Sequence, residues 1–386
     1  MSSAWLLPEH IADVLPIQAR RIEDFRRLLL DRARVYGFEL VMPPLLEHLE
    51  SLLSGTGQAL DLQTFKLVDQ LSGRTLGLRA DTTPQAARID AHLLNHAGVT
   101  RLCYCGPVLH TLPIGAGSRE LLQFAAEIFG HDGLEADLEV QQLALDALSA
   151  AEVGELLIDF ADARVLRGVL AGLPIDAQGL HEVVSMLSHK DAAAVDSLSK
   201  SFPDETRRAL RSLLRLYGGD DVLQAARREL PMRAPISAAL DDLQWLSTHL
   251  KRLHPRVRIG FDLSDMSGYS YYSGVRFAIY SSGCSEALAR GGRYDEVGAV
   301  FGRSRPAVGF SLDVKTLAEQ GALPAKASAV RAVWSEEAPL REAVRGLREA
   351  GHTVVFTLPG HNDEGHAFRF DRELQLRDGQ WVVVAL

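Results

Sequence analysis

The chain has 386 residues, 47% hydrophobic and 24% charged, a length that suits two or three domains around a large core. Its formal net charge of −9 argues against broad nucleic-acid binding, which depends on Lys and Arg contacts to phosphate. Three cysteines are too few for a disulfide framework, no run of about 18 apolar residues could span a membrane, and no basic-then-apolar leader opens the chain, so a reducing cytoplasm is the expected compartment.

Ile22, Phe25, Leu29, Ala33 and Tyr36 recur at spacings of three and four, which predicts an amphipathic helix over 17–36. Gly37 ends it, and Phe38 to Val41 reads as a short strand stopped by Pro43-Pro44. A strand at Leu76–Arg79 leads into Thr82-Thr83-Pro84, a helix start with a hydroxyl cap and an early proline, running to about His96. Arg101–Cys105 reads as a strand, with Cys103 and Cys105 on one face and Tyr104 on the other; the two thiols suit either a redox or metal pair or plain buried packing. A loop over Pro113–Ser118 precedes a strand at Leu121–Phe129, and residues 135–150 form a second amphipathic helix.

From 162 to 252 leucine and alanine dominate at helical spacing, which predicts an all-helical insertion. Strand patterns return at Val257–Leu263 and Ser270–Ile279, and three more segments close the core: Leu288–Ala299, Ala307–Phe310 and a helix from about Asp313. Gly321–Ser328 reads as a linker. The tail then gives strand Arg331–Trp334, helix Leu340–Ala350, strand Thr353–Leu358 and a hairpin turning on Asp378-Gly379, a small α/β module. The expected domains are 1–320 and 321–386.

Gln123 and Glu127 lie four apart on one strand face, about 13 Å along the strand, opposite a wholly apolar face of Leu122, Phe124, Ala126 and Ile128. That polar face fits a pocket for a ligand with an ammonium or imidazole, or a solvent-facing sheet surface. Asp81 could hold a ligand cation or cap the helix at Thr83. Tyr271 and Tyr272, between Gly268 and Gly274, could line a slot by stacking or serve as core. His361 and His366 near Asp363 and Glu364 do not have zinc-site spacing and read as a solvated loop, so no metal and no cofactor is expected.

Taken together, these segments resemble histidyl-tRNA synthetase, a class II aminoacyl-tRNA synthetase, over roughly residues 5–320. The helix, glycine, strand and prolines at 17–44 look like the dimer-forming first motif of that class. Leu78-Arg79-Ala80-Asp81-Thr82-Thr83 looks like the family's Leu-Arg-Pro-Glu-Gly-Thr, which casts Asp81 and Thr83 as ammonium ligands. Arg119-Glu120-Leu121-Leu122-Gln123-Phe124 with Glu127 is similar to the segment whose Gln and Glu hold the amino acid. Gly268-Tyr269-Ser270-Tyr271-Tyr272-Ser273-Gly274 resembles the histidine-specific motif and implies that Tyr271 and Tyr272 sit near an imidazole. Gly291-Gly292-Arg293-Tyr294-Asp295 and Pro306 to Phe310 look like the last motif. The resemblance implies an α+β fold, a class II antiparallel sheet flanked by helices with a helical insertion, and α/β structure in the tail.

Three positions depart from the pattern. His110, Ser267 and Thr316 stand where the family places arginines that contact carboxylate and phosphate, and Lys315 and Asp313 flank the last. Each donor of this kind is worth roughly 2.7–4 kcal/mol of transition-state stabilisation, so adenylate chemistry is not expected. The tail, with eight Lys/Arg against nine Asp/Glu over 325–386, offers no basic face for tRNA. A synthetase-like chain with the amino-acid pocket kept and the arginines gone is similar to the regulatory subunits of ATP phosphoribosyltransferase, and Leu7-Pro8-Glu9 to Pro16 looks like that family's opening. That resemblance implies a non-enzymatic subunit of histidine biosynthesis, needed by a short catalytic subunit. It also implies a homodimer core within a hetero-octamer, and histidine as feedback effector. The alternatives are a degenerate synthetase and an RNA-binding translational regulator.

Overall fold

The computed structural model describes residues 6–53, 57–113, 117–320, 326–361 and 368–386. It divides into two compact units, Met1–Ala12 with Ile22–Gly321, and Asp13–Arg21 with Ala322–Leu386.

The first unit is built on a nine-stranded sheet. Its strands run in the order Glu39–Leu40, Thr100–Leu109, Glu120–Phe129, Ala307–Asp313, Ala289–Arg293, Val275–Ser281, Leu156–Asp162, Arg258–Asp262 and Tyr217–Gly218. Most neighbours are antiparallel; Glu39–Leu40 with Thr100–Leu109, and Leu156–Asp162 with Arg258–Asp262, are parallel. Alternation fixes the two faces. Phe124, Ala126, Ile128, Val308, Phe310 and Leu312 point into the larger core, which helices Leu134–Ala150 and Ala234–Leu253 cover. A smaller cluster with Tyr104, Ala125 and Tyr294 lies on the opposite face, beside helix Thr83–Arg88.

The opposite face is the one that matters for function. Pairing places Tyr104, Ala125, Ser311, Arg290 and Ala278 in one cross-strand row. The next row on that face holds Glu127, Gly309, Gly292 and Arg276, and the row before it Gln123 and Asp313. Small residues therefore floor a depression whose edges carry polar groups.

Segment 163–253 contains six α-helices and a short 3-10 turn, several capped by aspartates: Asp162 accepts from Arg164 N, Asp176 from Gly179 N and Asp191 from Ala194 N. It is not wholly helical, because Tyr217–Gly218 adds a two-residue strand to the sheet edge. Leu156–Asp162 is a central strand that sequence reading left unassigned; it lies just before the insertion, and its Leu-Leu-Ile-Asp-Phe-Ala-Asp run has little clean alternation because both faces are covered.

The second unit has a four-stranded sheet, Val354–Thr357, Ala327–Val333, Phe368–Arg377 and Gln380–Ala385, packed by helix Ala338–Glu349 through Leu340 and Val344. Its hairpin turns at Asp378 and Gly379, with φ of 49° and 77°, as an Asp-Gly turn requires. The supposed linker is shorter than expected at its end, since strand structure begins at Ala327. Residues 321–325, 114–116 and 362–367, with His366, Asp363 and Glu364, lie outside the described residues.

Candidate functional site

At the bend between strand Thr75–Leu78 and helix Thr83–Arg88, the hydroxyl of Thr82 does not cap the helix. The cap comes from Asp81, whose Oδ1 accepts from Thr83 N at 3.0 Å. The same oxygen accepts from Gln123 Nε2 at 2.7 Å, and Gln123 Oε1 accepts from Thr82 N at 3.0 Å. Asp81 therefore serves the helix and the site at once, and the Gln123 amide is fully oriented by these two bonds.

Four residues further along the strand, on the same face, is the second cluster. Tyr104 donates to Glu127 Oε1 at 2.7 Å, and its oxygen lies 2.9 Å from Thr83 Oγ1. With the Tyr104 proton directed at Glu127, the Thr83 hydroxyl donates to Tyr104. Glu127 is only 2% exposed, and burial pushes its carboxyl up to about 8, against the hydrogen bond from Tyr104 and with help from the Asp81 charge.

Glu127 Oε2 is buried without a hydrogen-bond partner, and so is the Tyr294 hydroxyl. Both crowd the same point above Gly309: a methyl there would collide with Glu127 Oε2 and lie 2.7 Å from Tyr294 Oη. Buried polar groups are ordinarily satisfied, so this pair marks a place where a ligand or water completes the network. Tyr271 stacks on Tyr294 with centroids 5.1 Å apart and meets Tyr272 edge-on at 5.3 Å. Neither tyrosine lies in a strand as expected; they sit in a turn where Tyr271 N and Tyr272 N both donate to Gly268 O. Gly268 has φ +67°, and a side chain there would press on the Tyr272 ring.

The face thus brings Asp81, Thr83, Gln123, Glu127, Tyr271 and Tyr272 together. Tyr104, Tyr294 and Gly309 went unnoticed in sequence as site residues. The alternation that set Tyr104 opposite Cys103 and Cys105 was the available signal for the first; both cysteines are free thiols on the core side.

The three positions where arginine was missed behave differently from one another. Ser267 Oγ donates to Asp265 at 2.7 Å, and Asp265 in turn pairs with buried Arg276. Thr316 Oγ1 donates to Asp313 at 2.7 Å, and Asp313 also caps helix Val314–Glu319. Lys315 Nζ donates to Glu120 O at 2.9 Å. His110 is bonded at one end only: Nε2 donates to Ala80 O at 2.8 Å, and Nδ1 is buried without a partner. It lines a cavity of about 280 Å³ whose wall also includes Gln63, Asp81, Gln123, Arg290 and Asp313. A larger groove of about 870 Å³ in the second unit is lined largely by the exposed side of helix Ala338–Glu349; the unpartnered buried groups of the chain lie elsewhere among the described residues. Nor do the described residues include a group of three His, Cys, Asp or Glu able to hold a metal.

A family model described as histidyl-tRNA synthetase matches residues 10–317. A solved histidyl-tRNA synthetase from Nostoc sp., 21% identical, superposes with a TM-score of 0.81, covering 100% of this chain and 97% of that one. These place the fold in the histidyl-tRNA synthetase-like class II group.

A second family model, described as ATP phosphoribosyltransferase subunit HisZ C-terminal domain, matches residues 327–384. A curated relative from Variovorax paradoxus, named ATP phosphoribosyltransferase regulatory subunit, is 61% identical and covers 100% of both chains. A crystal structure from Bacillus halodurans C, described as an ATP phosphoribosyltransferase regulatory subunit/histidyl-tRNA synthetase, is 26% identical with a TM-score of 0.84, over 94% of this chain and 95% of that one. The chain belongs to the ATP phosphoribosyltransferase regulatory subunit family.

Proposed function

We propose that this chain is a non-catalytic histidine sensor, which activates a short ATP phosphoribosyltransferase catalytic subunit and passes histidine feedback to it. The observation that carries this reading is the contrast within one sheet face. An ordered polar pocket with two unpartnered buried groups, Glu127 Oε2 and Tyr294 Oη, stands beside positions 267 and 316, whose short side chains are bonded to neighbouring aspartates.

In this reading the α-ammonium of histidine sits against Asp81, with Gln123 and Thr83 orienting it, and the imidazole lies between Tyr271 and Tyr272 with a ring N–H at Glu127. The Glu127 carboxyl, kept largely neutral by burial, accepts the ring N–H without leaving a net buried charge behind. Without arginines at 110, 267 and 316, triphosphate charge has no support at those three points, so adenylate is not made. The synthetase-like part, 1–320, carries the pocket and 321–386 is a separate small domain. The working assembly is a hetero-octamer on a homodimer core, in the cytoplasm. Histidine acts through its differential affinity for two assembly states.

The test is the transferase activity of the catalytic subunit measured with and without this chain. Activity should require the chain and fall with added histidine. A complex carrying Gln123→Ala or Glu127→Ala should remain active and lose histidine sensitivity by about tenfold or more. Full activity of the catalytic subunit alone, or unchanged inhibition in both variants, would refute the proposal.

A further inference from the structure

The amino-acid pocket, as built from Asp81 to Glu127, has no cation for the carboxylate of its ligand. The family's positions for that role hold His110 and Ser267, and Ser267 is committed to Asp265. The sheet nevertheless supplies a guanidinium from a position no motif marks. Arg290 stands in the row Ala125–Ser311–Arg290–Ala278, on the site face, one row from Glu127 and Gly309. Its neighbours in that row are Ser311 on one side and Ala278 on the other, with Ala125 beyond the serine, so small residues floor the row on both sides of it.

Arg290 makes no hydrogen bond or ion pair among the described residues, whereas most other arginines of this unit are tied to a carboxylate or a carbonyl. It lines the 280 Å³ cavity with Asp81 and Gln123, the two groups that hold the ammonium end. Its charge is felt at the Tyr272 phenol, which burial raises to about 12 and which Arg276 and Arg290 both pull down. His110 lines the same cavity, 5% exposed, with Nδ1 unpartnered. Because Ala80 O can only accept, His110 Nε2 carries the ring hydrogen and Nδ1 is a bare acceptor, so His110 cannot take over the carboxylate and the guanidinium of Arg290 is left for it.

We propose that Arg290 receives the carboxylate of the amino acid whose ammonium lies at Asp81 and Gln123. The arginine that grips the ligand is then the second residue of strand Ala289–Arg293. This inference rests on the amino-acid reading above and adds the third contact point that distinguishes an α-amino acid from a simple amine. A guanidinium offers two parallel donors to a carboxylate, which suits this one planar group better than a lysine would.

The test uses the full-length chain in complex with the catalytic subunit, titrated calorimetrically with L-histidine and with histamine, which keeps the imidazole and the amine but lacks the carboxylate. Wild type should bind histidine more tightly than histamine by about ten- to hundredfold, the range of one charge-assisted hydrogen-bonding contact. Arg290→Gln should erase that preference and leave histamine affinity within about twofold, and Arg290→Lys should restore part of it. Unchanged histidine affinity in Arg290→Gln, or an equal loss for both ligands, overturns the Arg290 assignment and leaves the histidine pocket standing. Failure of wild type to bind either ligand overturns both.

Discussion

Glu127 is the residue on which the site turns. Its carboxyl titrates near 8 in the fold against an ordinary value of 4.5, because burial penalises the charged form. The folded chain therefore holds a proton that the unfolded chain releases, so stability falls as pH rises from about 4.5 to about 8 and levels off above that. Glu127→Gln should remove this slope: little difference from wild type at pH 5, and a gain of roughly 2–4 kcal/mol over wild type at pH 9 in urea unfolding. Parallel stability curves for the two proteins would contradict the assignment. Gly309 makes the complementary point. A methyl there meets Glu127 Oε2, the Tyr294 hydroxyl and the Ala126 carbonyl oxygen at once, so Gly309→Ala should displace the carboxylate and abolish histidine binding. Of these residues, Gln123 and Glu127 were legible because period-two alternation set them apart from an apolar face. Tyr294 and Gly309 were not, since their roles depend on which strands become neighbours, and Asp81 was ambiguous because it both caps the helix and binds Gln123.

Single elements show how local chemistry positions the site. Asp313 ends strand Ala307–Asp313 and starts helix Val314–Glu319, accepting from Lys315 N at 3.2 Å and Thr316 N at 3.0 Å. Its Oδ1 also accepts from Leu122 N at 2.9 Å, next to Gln123. Asp313→Ala should cost about 1–2 kcal/mol in chemical unfolding, and loosen the strand that carries Gln123; an unchanged midpoint would show that the cap is dispensable. The helix Leu134–Ala150 is tied to strand Ala289–Arg293 by the buried pair of Asp137 and Arg293, with Arg293 also donating to His131 O and Gly133 O at 3.1 Å. Removing one partner leaves a buried charge, so Asp137→Ala should cost about 3–5 kcal/mol. Most elements were readable from periodicity within a few residues. Residues 270–274 were misread as strand because a positive-φ glycine, Gly268, sets the turn they lie in, and strand Leu156–Asp162 was missed because its pattern suits burial on both faces.

At the scale of the whole molecule, family membership is established and the regulatory mechanism is the proposal. The fold class and the family were readable because motif segments scattered over 300 residues converge on one sheet face. The position of Arg290 was not, because alternation within one short strand does not reveal which cavity it borders. The retained pocket and the missing arginines make a joint prediction: purified chain should show no histidine-dependent ATP–pyrophosphate exchange, and measurable exchange would mean that another cation supports the triphosphate. Inhibition should be reciprocal, so that catalytic-subunit ligands favouring one assembly state shift histidine affinity by the same factor that histidine shifts theirs. The most direct measurement is calorimetric titration of L-histidine into the intact complex, wild type beside Glu127→Ala. The structure predicts saturable binding at one site per regulatory chain, weakened by about tenfold or more in the variant. No binding to wild type, or equal affinity in the two proteins, would contradict the claim that this sheet face is where histidine is sensed.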